Sequence, residues 1–455
     1  MAPKDATNER GQFSSRFGFI TAATGSAVGL GNIWGFPTQT ASHGGGAFVL
    51  VYLVLAFLLA YPALMAELII GRHTRHNMVG ALPQLTTKPV LKIIGRATGL
   101  YGVVIASLIL SFYAIVASWL MAQVPAALAD ISGQGQTASW LSQSSLLRDS
   151  LFCGLFSLLT ASIVARGVKD GIERWSTRLM PALVLLMLAL VATVLTLPGA
   201  MEGLRLYLVP NFSLITDPGL LTGAMGQAFF SLSLGVGTML IYGSYVSKTD
   251  NLPLTGAYVA LIDTGIAFLA GLLIIPAMFV AQHRGIEIYS SENTLIAGPD
   301  LILQTLPSLF NSLGSAGVII GLVFFLLLTI AALTSSISML EVPVTFVLEQ
   351  FQLSRYRATW LVASIIFGLS LLILNNFEQL FAGVISLTTT YSQPLLGVML
   401  CVFAGWVLHR DKLLREISAG FAGAENSLFW KIWPSYIRFI CPLLIIFMFV
   451  QNARS

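Results

Sequence analysis

Charge is what this 455-residue chain lacks most. Only 10% of its residues are charged, against about 25% in soluble domains. Hydrophobic residues make up 56%, and the mean hydropathy is +0.83. Such a chain cannot cover itself with a water-facing surface, so lipid must do that. Short alternating apolar segments are absent, which excludes a membrane β-barrel. Cysteine is scarce too. Cys153, Cys401 and Cys441 sit in apolar stretches without paired spacing, which argues against a disulfide framework or a thiolate metal site. They are expected as small buried hydrophobes. The opening MAPKDATNERGQ has no apolar stretch before a cleavage site, so the first hydrophobic segment is expected to be an uncleaved span. The five histidines, His43, His73, His76, His283 and His409, fall in expected loops or span ends. No nucleophile with a partner base stands out, so an enzyme is not expected. The net charge of +4 reflects topology rather than a nucleic-acid partner.

What is present is apolar length. Long runs recur at 48–60, 183–197, 257–280 and 318–333, and about 20 apolar residues cross a bilayer as a helix. The pattern predicts an all-α polytopic membrane protein with eleven spans. These are 16–37, 46–70, 91–126, 149–166, 176–197, 219–246, 252–281, 314–350, 354–374, 378–408 and 430–450. Twenty of the 24 Lys and Arg residues fall in alternate loops on one side; only Arg148, Arg205, Arg284 and Arg454 fall on the other. The positive-inside rule then puts the N-terminus in the cytoplasm and, with an odd span count, the C-terminus outside.

Two spans are interrupted. The first reads TGSAVGLGNIWGFP (24–37) and the sixth GQAFFSLSLGVG (226–237). Each glycine inside a helix costs about 1 kcal/mol relative to Ala, and neighbouring serines compete for backbone bonds. Both segments are expected to unwind. Exposed backbone at membrane depth is tolerated where it lines a protein cavity, and paired interrupted helices point to an inverted-repeat transporter. The repeats are expected at 16–197 and 219–408, after a cytoplasmic segment 1–15 and before an eleventh helix at 430–450. Half-helix N-termini suit a carboxylate, and freed carbonyls suit sodium. The eighth span adds hydroxyls at Thr334, Ser335 and Ser336. Asp263 lies mid-helix in the seventh span with no charge near it. A charge at the bilayer centre costs about 2.5–3.5 kcal/mol even on lenient scales, so it must be offset by a cation, a proton or a partner.

Six ordered motifs carry a resemblance. They are GSAVGLGNIWGFP (25–37), GGGAF (44–48), ELIIGR (67–72), RGVKDGIERWSTRLMP (166–181), GQAFFSLSLGVG (226–237) and ALTSSISMLE (332–341). Over nearly the whole chain the sequence resembles a bacterial member of the neurotransmitter/sodium symporter family, with its leucine-transporter-like fold. The resemblance implies sodium as a transported ion, no prosthetic group, and two sodium sites. One would use the Ala27 carbonyl, Asn32, Ser231, Asp263 and the substrate carboxylate. The other would use the carbonyls of Gly25, Val28 and Ala331 with the hydroxyls of Thr334 and Ser335. The implied substrate pocket comprises Ser26, Ala27, Leu30, Gly31, Ile109, Tyr113, Phe230, Ser231, Ser233, Val236, Ser335 and Met339, with the Tyr113 hydroxyl bonding a carboxylate. Chloride-dependent members resemble Asn at the Asp263 position, so chloride-independent transport is expected.

The sequence also departs from the family. Gly35 stands where Arg is usual before Phe-Pro, and Gln379 stands where its acidic partner is usual. Losing both together avoids a stranded charge, so an outer gate of packing and neutral hydrogen bonds is expected. The cytoplasmic gate is expected from Arg10, Phe13, Tyr245 and Glu349. Glu67 is expected to cap polar groups and Glu341 to make structural hydrogen bonds. The implied activity is sodium-coupled uptake of a small neutral, apolar amino acid across the bacterial inner membrane. The alternatives are a non-α-amino solute such as taurine or GABA, or a solute sensor on the same scaffold. A homodimer is an allowed assembly.

Overall fold

The computed structural model describes residues 11–289, 295–296 and 301–452. Among the described residues nine helices are long and apolar enough to cross a membrane: α3 (Gly46–Thr74), α4 (Pro89–Ile131), α5 (Leu146–Val164), α6 (Val168–Leu195), α9 (Leu252–His283), α10 (Ser315–Phe351), α11 (Arg355–Asn375), α12 (Phe377–Val407) and α14 (Leu428–Gln451). Two broken segments complete the bundle. The first is α1 (Arg16–Ala27) followed by α2 (Phe36–Ser42); the second is α7 (Pro218–Ser231) followed by α8 (Thr238–Gly243). A short helix, α13 (Arg410–Ser418), bridges α12 and α14. Helices occupy each of the predicted ranges, the first and sixth as broken segments. The third runs on to Ile131, and the fifth begins at Val168, directly after Gly167, whose φ of +96° a right-handed helix cannot pass through.

Local chemistry sets the helix starts. Ser15 accepts from the Gly18 N–H to open α1, and Asn251 accepts from the Leu254 N–H ahead of Pro253 to open α9, which are N-cap arrangements. The glycines set the breaks. After Ala27 the chain turns extended at Val28 (ψ 107°), and a wider π-helical turn, Gly31–Gly35, leads into α2. In the second break Gly235 and Gly237 both adopt φ +80°, and Ser233 adopts φ +52°. A right-handed helix cannot pass through those angles.

The buried side chains lie between helices, and apolar residues such as Leu185, Ile365 and Leu443 point outward with 67%, 57% and 64% exposure. That is the inverse of a soluble protein and matches a lipid-facing belt. All three cysteines are buried and free; the Cys401 and Cys441 thiols meet at 3.8 Å between α12 and α14. Among the described residues no cluster of metal-binding side chains occurs.

Candidate functional site

The two breaks face each other, and side chains from other helices satisfy their freed backbone groups. On the second break, Glu67 of α3 accepts from the Gly235 N–H at 2.7 Å and the Leu240 N–H at 3.3 Å. Gln393 of α12 donates to the Leu234 carbonyl at 2.8 Å. On the first break, Gln227 donates to the Gly31 carbonyl at 2.7 Å, and the Leu30 N–H donates to the Tyr113 hydroxyl at 3.4 Å. Ser233 links the breaks by donating to the Ser26 carbonyl at 3.2 Å. Buried backbone polar groups need such partners. The capping role expected of Glu67 is therefore seen, at full burial.

One polar cluster sits against the first break. Asp263 is 1% exposed; its Oδ1 accepts from Asn32 Nδ2 at 2.7 Å and its Oδ2 from the Ser231 hydroxyl at 2.7 Å. Asn32 Nδ2 also reaches Ser231 Oγ at 2.8 Å, and Tyr52 donates to that hydroxyl at 3.2 Å. Three of the residues implied for the first sodium site thus converge, with Ala27 ending α1 beside them. A second cluster joins α1 to α10. The Ser335 hydroxyl lies 3.0 Å from the Val28 carbonyl and 3.4 Å from that of Gly25. Thr334 donates to the Ala331 carbonyl at 3.0 Å, and its Cβ lies 3.3 Å from where a Cβ at Gly25 would stand. All five oxygen sources implied for the second sodium site are gathered there.

Between these clusters lies a central cavity of about 40 Å³. It is lined by the predicted pocket residues Ala27, Leu30, Gly31, Ile109, Tyr113, Phe230, Ser233, Val236, Ser335 and Met339. Ser26 and Ser231 are fully buried and stand outside its wall. Sequence reasoning missed three lining residues: Gly29, Phe112 and Gln393. A Cβ on Gly29 would stand 2.5 Å from Ser335 Oγ and 2.9 Å from the Tyr113 hydroxyl, so only glycine fits there. Gln393 had a readable signal, since a polar amide inside an apolar span is rare without a task.

A vestibule of about 580 Å³ opens on the arginine-poor face and shares Phe112, Phe230 and Gln393 with the cavity. Among the described residues no Asp, Glu, Lys or Arg lines it, and His43 is its one titratable side chain. Gly35 is in its wall, with Gln227 Oε1 3.3 Å from where a Cβ would stand. Gln379 is exposed in the first turn of α12 and does not join that wall. Gln227, which is in the wall, makes a neutral hydrogen bond to the Gly31 carbonyl.

The arginine-rich face is closed off from the central cavity: its own pocket, of about 710 Å³ and bounded by Tyr245, Glu349 and Arg355, shares no lining residue with that cavity. Phe13 packs edge-on against Phe19, Tyr242 and Tyr245 at 5.4, 5.7 and 6.1 Å. Tyr245 donates to Glu341 Oε1 at 2.6 Å, and Arg355 meets Glu341 Oε2 at 2.5 Å while donating to the Val164 carbonyl. Glu349 accepts from Asn77 Nδ2 at 2.7 Å. Arg10 lies outside the described residues. Sequence reasoning counted Arg355 only as a topology charge; its pairing with Glu341 places it in the seal. On the same face, buried Arg72 bonds Glu416 Oε1 at 2.7 Å and the Asp250 carbonyl at 2.8 Å. Burial would raise the Glu416 carboxyl, but the hydrogen bond with His73 and the Arg72 charge together hold it below its ordinary value.

Comparison with known proteins agrees with this architecture. The sodium:neurotransmitter symporter family model matches residues 10–145 and 141–455. An uncharacterised sodium-dependent transporter of Bacillus subtilis, YhdH, is 35% identical over 97% of both chains. The sodium- and chloride-dependent taurine transporter of Rattus norvegicus is 26% identical over 75% of this chain and 61% of its own. Among solved structures, MhsT in complex with L-phenylalanine superposes with a TM-score of 0.82 at 37% identity, covering 97% of this chain and 100% of that one. With two broken helices facing a cavity, oxygen clusters on either side of it, and matches spanning the chain, this protein belongs to the sodium:neurotransmitter symporter family.

Proposed function

We propose that the protein takes up a small neutral, apolar α-amino acid by coupling it to two inward-moving sodium ions, independently of chloride. The observation that carries this is the Asp263 cluster. A carboxylate 1% exposed, bonded to Asn32 and Ser231 beside the end of α1, is an unusual placement for a charge. A sodium ion there would neutralise it, which also removes the need for a chloride to balance the cation. To ligate the ion, the Asn32 amide would turn over and present Oδ1, which now accepts from the Gly29 N–H at 3.2 Å. The second ion would bind among Gly25, Val28, Ala331, Thr334 and Ser335. Its carbonyl and hydroxyl oxygens suit a hard cation, and it would tie α1 to α10.

The substrate carboxylate would lie between the first ion, the Tyr113 hydroxyl and the first-break N–H groups. Its side chain would enter the apolar wall of Ile109, Phe230, Val236 and Met339. Neither Ser26 nor Ala27 offers a counter-ion for an amine lacking a carboxylate, which favours an amino acid. The solved relative MhsT, seen with L-phenylalanine, supports the same class.

Alternating access follows from the two faces. By the positive-inside rule the sealed, arginine-rich face is cytoplasmic, with the N-terminus there and the C-terminus outside. Release requires Phe13, Tyr245, Glu341 and Arg355 to part while the vestibule closes. Each sodium ion entering gains about 2.3 kcal/mol per 100 mV. The taurine transporter among its relatives makes a non-α-amino solute the second reading. Uptake into proteoliposomes, with amino acids, taurine and GABA under sodium, potassium or lithium gradients, separates the readings. Sodium-dependent accumulation of a neutral amino acid, lost in Asp263→Ala and Tyr113→Phe, supports the proposal; accumulation of taurine or GABA alone overturns it.

A further inference from the structure

Gln393 sits in α12 and lines both the central cavity and the vestibule, yet is 2% exposed. Its Nε2 donates to the Leu234 carbonyl at 2.8 Å. A carboxamide has one donor end and one acceptor end, and only the donor end can face a carbonyl. That bond therefore fixes the amide's orientation and turns Oε1 away from Leu234. Oε1 is buried and has no hydrogen-bond partner among the described residues. Among the residues lining the central cavity, it is the one side-chain polar atom left so. Native proteins rarely leave a buried acceptor unmet without a use for it. The cavity wall to which Gln393 belongs is largely apolar, with Phe112, Phe230 and Val236 among its members.

We propose that Gln393 is a specificity-determining residue whose Oε1 accepts a hydrogen bond from an N–H or O–H on the otherwise apolar side chain of the transported amino acid. This rests on the amino-acid reading above and narrows it. A purely apolar side chain would leave Oε1 unpaired, which is the situation in which binding sites discriminate most strongly.

The test compares isosteric pairs in sodium-driven proteoliposome uptake. L-tryptophan is set against 3-benzothienyl-L-alanine, whose ring sulfur replaces the indole N–H, and L-threonine against L-valine. The wild-type protein should favour the donor-bearing member of at least one pair by about tenfold or more. In Gln393→Leu that ratio should fall to about one. Equal uptake within both pairs by the wild type overturns the assignment, as does a preference that persists in a folded Gln393→Leu variant. If that variant does not fold, the wild-type ratios decide. Valine accumulation without donor preference sinks the Gln393 assignment alone; failure of every amino acid to accumulate with sodium sinks the amino-acid reading beneath it.

Discussion

Glu341, fully buried in α10, holds the Arg355 guanidinium at 2.5 Å where α11 begins, so one ion pair staples two spans at the face that is shut. Removing one member of a buried pair strands the other, at a cost of about 3–5 kcal/mol. Arg355→Ala should therefore lower thermal stability in detergent sharply. The double change Glu341→Gln with Arg355→Ala should recover most of that loss, since no charge is then left alone. Melting curves of the three proteins check this; an Arg355→Ala protein as stable as wild type would mean the pair is solvated and does not hold the seal.

Asp263 makes a separate prediction. Asp263→Asn keeps the hydrogen-bonding shape but deletes the negative charge opposite the proposed ion. Uptake in chloride-free buffer should fall at least about tenfold, and added chloride should restore part of it. A chloride titration of both proteins reads the result. Unchanged uptake without chloride would show that Asp263 is neutral during transport.

At Gly29 the prediction is steric. Gly29→Ala pushes a methyl against Ser335 Oγ and the Tyr113 hydroxyl, at 2.5 and 2.9 Å. Overpacking of this kind costs about 1–3 kcal/mol. Sodium-dependent uptake should fall about five- to a hundredfold. Undiminished sodium affinity in this variant would show that the first break relaxes away from α10.

Glu416 predicts a pH dependence. Its carboxyl is held below the ordinary value of 4.5 by His73 and Arg72 despite burial. A lowered folded value means the stabilisation is complete above about pH 4.5 and is lost as pH falls through the folded value. Glu416→Gln should therefore melt below wild type at neutral pH, and the two curves should converge on acidification. Curves that stay parallel would mean that the Arg72 contact depends on shape rather than charge.

The spans were legible because hydropathy and glycine placement act locally. Gly25, Gly29 and Gly31 marked one break, and Gly235 and Gly237 the other; the last two stand at φ +80°, and Gly29 has no room for a Cβ. Asp263 announced itself by being charged where charge is costly. Phe112 was hidden, because the resemblance named only its neighbour Tyr113 on α4, and packing alone shows that both reach the cavity. Arg355 was hidden for another reason. Its partner lies fourteen residues back, across a turn whose geometry no periodicity encodes. Gln379 shows the converse. Alignment put it at an outer-gate position, while the helix that carries it leaves its side chain exposed.

The bonds that Glu67, Gln227 and Gln393 make to the two breaks carry a thermodynamic consequence. Side chains rooted in neighbouring helices already hold those strands of backbone in their unwound course. The entropy of ordering them is therefore met once, when the chain folds, rather than at every turnover. An arriving ion or solute encounters a preorganised receptor, and less of its binding free energy is consumed in shaping it. What is left over can tilt the equilibrium between the two accessible faces, which is the only currency in which one gradient can drive another.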